Sequence, residues 1–114
     1  MNRSYSLKRH KEFRYTYRVG RSQSAELFTM VYARSRNARI RIGFSVSKRV
    51  GNAVQRNRAK RRMRACITPM LEHLSGGCNL IMIAKPAVLD APFSALTKEA
   101  ETLFRRCGIW TDEP

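Results

Sequence analysis

IRIGFSVSKRVGNAVQRNRAKRRMR, residues 40–64, changes its hydrophobic period part-way along. From Ile40 to Ser47 the chain alternates. Ile40, Ile42, Phe44 and Val46 fall on one face, and Arg41, Gly43, Ser45 and Ser47 on the other, as in a half-buried β-strand. Gly51-Asn52 is a turn signal, and beyond it the period becomes helical, over residues 53 to 68 or further. At 100° per residue from Met63, Ala59, Cys66, Ile67, Met70 and Leu74 gather on one side. Asn57, Arg58, Lys60, Arg61, Arg62 and Arg64 form the opposite arc. A strand running into an amphipathic helix with a cationic outer face is therefore the centre of the fold. By the same arithmetic Arg56 points toward the apolar side. In the first turn, it is expected to reach past the sheet edge or back to the preceding loop.

Working outward, residues 9 to 18 read as a short helix that puts Phe13 and Tyr17 on one face, with Gly20 as its stop. Leu27–Ala33 reads as a strand, and Ser35–Ala38 as a polar turn before Ile40. Pro69 deletes a helix hydrogen bond, so the long helix must kink there or end and restart. Gly76-Gly77 breaks the chain. Leu80–Ala84 is an apolar run suited to a strand covered on both faces, and Pro86 closes it. A last helix, Pro92 to Cys107, carries Phe93, Leu96, Ala100, Leu103 and Phe104 at helical spacing and ends at Gly108. The order is helix, two strands, helix, strand, helix. It predicts an α+β sandwich, one mixed sheet with helices on it, in a single domain over residues 1–114. The general rule predicts a right-handed strand–helix–strand crossover.

Charge narrows the partner. Lys and Arg number 23 against 8 Asp and Glu, a formal +15, while 43 % hydrophobic residues are enough for a folded core. Between Glu26 and Glu72 no acid occurs, yet Arg34, Arg36, Arg39, Arg41, Lys48, Arg49, Arg56, Arg58, Lys60, Arg61, Arg62 and Arg64 do. Such a local excess repels itself until a polyanion neutralises it. No apolar run reaches the ~18 residues of a membrane span, and Met1 to Lys11 holds no signal-type segment. Nucleic acid in the cytoplasm is the expectation. Cys66, Cys78 and Cys107 form no C-x-x-C pair and read as buried thiols. A nuclease acting alone would need grouped histidines or carboxylates. The only histidines are His10 and His73, and the basic stretch holds no acid. The face of Gly43, Ser45 and Ser47 has two readings: a helix packs closely over it, or it floors a groove for an extended polymer.

The run Gly43 to Arg64, GFSVSKRVGNAVQRNRAKRRMR, closely resembles the signature of the bacterial ribonuclease P protein component. That signature is a strand ending in small residues, then Lys-(Lys/Arg)-x-Gly-Asn-Ala-Val-x-Arg-Asn-Arg-x-Lys-Arg-x-x-Arg. Leu7-Lys8 with Phe13 and Tyr17, LIMIAKP (Leu80–Pro86) and Leu103-Phe104-Arg105 extend the resemblance from Leu7 to Arg106. It implies a two-layer α/β sandwich like a ribosomal protein domain, a mixed sheet of about four strands with three helices, and a left-handed crossover that departs from the general rule. It implies that Lys48, Arg49, Asn52, Arg56, Asn57, Arg58, Lys60, Arg61 and Arg64 meet a catalytic RNA. It implies that Phe13 and Tyr17, with Ser45 and Ser47 on the groove floor, receive the single-stranded 5′ leader of precursor tRNA. No DNA or membrane partner is implied. The chemistry would belong to the RNA and its Mg2+, with the protein improving substrate capture and metal occupancy. Tyr17 stands where the family usually has Phe, and keeps a stacking face. Pro69 departs from the family's uninterrupted helix, and Arg62 is a cation the pattern does not require. A stand-alone RNA- or ribosome-binding module using the same helix is the alternative.

Overall fold

The computed structural model describes residues 5–7, 10–35 and 39–113. Arg36 and most of the polar turn expected at Ser35–Ala38 lie outside them, as does Lys8. The elements in chain order are α1 (His10–Val19), β1 (Arg21–Ser24), β2 (Phe28–Arg34), β3 (Ile40–Val46), α2 (Ala53–Ile67), β4 (Cys78–Ala84) and α3 (Phe93–Arg106). One sheet has the order β1-β2-β4-β3. β1 and β4 both pair antiparallel with β2, and β3 pairs parallel with β4. The sheet is therefore mixed, and α2 is the crossover between its two parallel strands. β1 is the fourth strand, which hydrophobic periodicity alone does not locate. Its sequence, RSQS, has no apolar residue to alternate, and it joins the sheet through backbone pairing with β2 alone.

Side chains alternate along each strand, so the sheet has two differently covered faces. Phe28, Met30, Ile40, Ile42, Phe44, Leu80 and Met82 pack with Ala59, Met63, Cys66 and Ile67 of α2 and Leu96, Ala100, Leu103 and Phe104 of α3. This is the expected packing of helices on a mixed sheet, but α1 covers the other face, so the sheet lies between helices rather than in two layers. All six apolar residues assigned to the inner stripe of the long helix are buried. On the opposite face, Val31 and Ile81 pack with Leu7, Phe13 and Ile83. There α1 lies across the sheet. Phe104, Phe28 and Met63 are fully buried, and each such side chain contributes about 1.5–3 kcal/mol by leaving water.

The start and end of α2 are both set locally. Asn52 Oδ1 accepts from the Gln55 backbone N–H, and Gln55 Oε1 accepts from the Asn52 N–H, each at 2.9 Å. This capping box satisfies two otherwise orphaned donors. Gly51, at φ 143°, sits so close that a Cβ would lie 1.9 Å from Gln55 Oε1. At the far end Pro69 stops the α-helix, and the chain continues as a 3-10 turn over Thr68–His73.

Arg62 departs from the expectation that it joins the cationic arc. It lies on the α2 flank toward α3, and its guanidinium donates to the Leu89 and Ala91 carbonyls at 2.8 and 2.5 Å. The extra cation is thus a tie between α2 and the segment entering α3. Arg62→Ala leaves two carbonyls short of a donor and is expected to cost about 1–3 kcal/mol in denaturant unfolding. RNA affinity should hold once the variant is folded. Unchanged stability with lost RNA affinity would contradict this role.

Candidate nucleic-acid interface

β3 is an edge strand, so the flank of α2 beside it is open. Arg56, Lys60 and Arg64 stand at i, i+4 and i+8, which places them in one row along that flank. Arg56, Asn57 and Lys60 line a notch of about 310 Å³ with Phe44, Ser45 and Val46. The Arg64 guanidinium lies 5.9 Å from the centre of the Phe44 ring. Arg56 thus reaches the sheet edge, as its first-turn position suggested. Its Nε is buried without a hydrogen-bond partner among the described residues. A buried donor left unmet costs about 1–3 kcal/mol, which an incoming phosphate oxygen would recover. Asn57, Arg58, Arg61 and Arg64 are exposed. Among the described residues the ion pairs are Arg41–Glu12, His73–Glu72, Arg105–Glu101 and Arg105–Asp112, and none takes a cation from residues 48–64. Of the eleven basic residues between Glu26 and Glu72 that are described, Arg41 is the one with a carboxylate partner among the described residues. Arg41 meets Glu12 of α1 at 3.0 Å, across the layers.

Lys48 and Arg49 are exposed on a 3-10 turn over Lys48–Val50 that joins β3 to α2. Ser47 caps this turn, its Oγ accepting from the Arg49 N–H at 3.2 Å. Asn52 is exposed, but its Oδ1 is committed to the capping box. Both residues therefore shape the turn that presents the cations.

On the far face both readings of the small-residue strand apply, each to a different residue. A Cβ on Gly43 would lie 2.3 Å from Phe13 Cζ, so Phe13 packs directly on that glycine. Ser45, two residues on, is only half-buried. The strand register aligns Ser45 with Ile83, Ile83 with Thr29 and Thr29 with Ser24. These four form a strip across the whole sheet beside α1, three hydroxyls and one apolar side chain, none fully buried. Lys85 Nζ donates to Ser24 Oγ at 2.6 Å and to the Ala25 carbonyl, closing one end. Tyr17 is 47 % exposed and is not part of the apolar cluster in which Phe13 packs. Ser24, Thr29, Ile83 and Lys85 carry no signal of this role in the sequence, because their alignment depends on register between strands distant in the chain.

Among the described residues no group of three or more His, Cys, Asp or Glu is placed to hold a metal ion. Cys66, Cys78 and Cys107 are free thiols, each pushed up by burial. No described helix is long and apolar enough to cross a membrane.

The family model for ribonuclease P matches residues 1–108. The chain belongs to the ribonuclease P protein family. It is 39 % identical over 110 residues to the ribonuclease P protein component of Chloroflexus aurantiacus, covering 96 % of this chain and 82 % of that one. It is 34 % identical to that of Symbiobacterium thermophilum, covering 96 % of both. The solved RNase P protein of Staphylococcus aureus superposes with a TM-score of 0.81 at 25 % identity, over 96 % of this chain and all of that one. The protein from Thermotoga maritima, at 20 % identity, shares the fold with a TM-score of 0.78 over 89 % and 96 %. The protein is thus a component of the endoribonuclease that processes tRNA 5′ ends, with RNA as its partner.

Proposed function

We propose that the exposed outer face of α2, together with its β3-side flank, docks this protein on the ribonuclease P RNA, while the strip beside α1 receives the 5′ leader of precursor tRNA. The observation that carries the first half is the row of cations on that flank without a carboxylate partner among the described residues. Guanidinium groups fork onto phosphate oxygens and keep their charge at any physiological pH. Lys48, Arg49, Arg56, Arg58, Lys60, Arg61 and Arg64 neutralise phosphates, and Asn52 and Asn57 offer amides to 2′-hydroxyls or bases. On the far face, hydroxyls of Ser24, Thr29 and Ser45 suit an unpaired strand, and Phe13 and Tyr17 border it with aromatic surface. Ser47 contributes through the turn it caps. In this reading the Mg2+ that phosphodiester hydrolysis uses is held mainly by the RNA, and the particle works in the cytoplasm.

The leader assignment is tested with Phe13→Ala, by measuring affinity for precursor tRNA and for mature tRNA with the reconstituted particle. Base–aromatic stacking contributes about 1–3 kcal/mol, so leader-bearing substrate should bind roughly tenfold more weakly. Mature tRNA should bind unchanged. Equal losses on both would make Phe13 a packing residue only.

A further inference from the structure

A second cavity, of about 610 Å³, opens at the other end of the strands. It lies where the C-terminal end of α1 meets the ends of β2 and β4 and the residues after α3. Volumes of about 300–1,000 Å³ are typical of small-ligand sites. Cys78 at its wall is five residues from Ile83 along β4, or about 17 Å, so the cleft is separate from the strip beside α1. It is also distant in kind from α2, none of whose residues line it.

Its chemistry is one-sided. Arg21 and Arg34, both exposed, line it, and among the described residues no carboxylate does. The Cys78 and Cys107 thiols in the wall are raised by burial, Cys78 to about 11, so they stay protonated and add no negative charge. Apolar surface comes from Tyr32, half-buried, and from Val19, which is 49 % exposed. Ala33, Ser75 and Ile109 also line it, together with the glycines Gly76, Gly77 and Gly108. Gly76 and Gly108 adopt φ of 95° and 79°, where other residues are strained, and among the described residues nothing beyond their chain neighbours stands within 4 Å of where a Cβ would be. Main chain can therefore meet a ligand closely there.

We propose that this cleft is a second nucleotide site, taking one unpaired nucleotide with its phosphate on Arg21 and Arg34 and its base against Tyr32 and Val19. The inference rests on RNA as the partner of this family, and not on the assignment of α2. Two sources share this chemistry, a free mononucleotide and an unpaired residue of an RNA chain.

The test is an NMR titration of the 15N-labelled full chain with adenosine monophosphate and, separately, with a single-stranded RNA tetranucleotide. Saturable shifts of the Gly76, Gly77 and Gly108 amides are expected. They should weaken about tenfold or more in Arg21→Gln/Arg34→Gln, two exposed changes that leave the core intact. They should persist in Arg58→Gln. Shifts with the mononucleotide assign the site to free nucleotides, and shifts with the oligonucleotide alone assign it to an RNA strand. Either supports the site. Amides that stay still with both probes, or that shift equally in the double variant, would overturn it. A failure of the α2 assignment would appear separately, as unchanged RNA affinity in Arg58→Gln.

Discussion

Arg58→Ala/Arg61→Ala/Arg64→Ala is expected to bind ribonuclease P RNA roughly a hundredfold more weakly at physiological salt. The three side chains are exposed on α2 and take no carboxylate partner among the described residues. Their removal therefore costs the fold little, since surface changes away from caps and core stay within about 0.5 kcal/mol. The mechanism has its own signature. Each phosphate contact releases condensed counterions, so the slope of log affinity against log salt should fall by about 0.7 to 0.9 per lost contact. Arg58→Ala alone should give one such step, and the triple variant about three. Arg64 has a second role, because its guanidinium lies over Phe44. Arg64→Lys should retain the charge step but lose part of that planar contact.

The second large effect is expected at Gly43→Val. Strand propensity alone favours Val over Gly, on a scale of about 1 kcal/mol. Packing opposes it and wins. The new Cβ would overlap the Phe13 ring at 2.3 and 2.7 Å and press Leu7 Cβ at 3.3 Å, on a face where Phe13 and Leu7 hold α1 to Val31 and Ile81. Overpacking of this kind costs about 1–3 kcal/mol, and here it lifts α1 from the sheet. Discrimination of precursor from mature tRNA should fall as in Phe13→Ala, while affinity for ribonuclease P RNA stays. In a Phe13→Ala background the same change should cost much less, because the ring it strikes is gone. Additive losses in the double variant would show that Gly43 matters for a reason other than Phe13.

These two sites differ in how far they were legible. The alternation from Ile40 to Val46 and the helical period from Ala53 onward belong to single elements, so the sequence displays them directly. The cationic arc follows from the same period, as does the buried stripe through Leu74. What failed to show depends on neighbours remote in the chain. Arg62 sits on the arc by helix arithmetic, yet the carbonyls of Leu89 and Ala91 claim it. β1 carries no hydrophobic pattern and exists through its pairing with β2. The strip of Ser24, Thr29, Ile83 and Ser45 appears only once three strand registers are set. Pro69 announced a break but not its form, and the 3-10 turn keeps Met70 and Leu71 buried. The Gly43 and Ser45 pair was ambiguous because one residue serves packing and the other stays open, a split that alternation alone does not reveal.

The central claim is that α2 grips RNA through its phosphates while the protein leaves bond cleavage to that RNA. Its most direct test is reconstitution with ribonuclease P RNA at low magnesium, following 5′ maturation of precursor tRNA with the unaltered protein, with the Arg58, Arg61 and Arg64 triple variant, and with protein alone. The unaltered protein should restore cleavage, the folded triple variant should fail at matched concentration, and protein alone should cleave nothing. Cleavage by protein alone, or full rescue by the triple variant, would contradict the account.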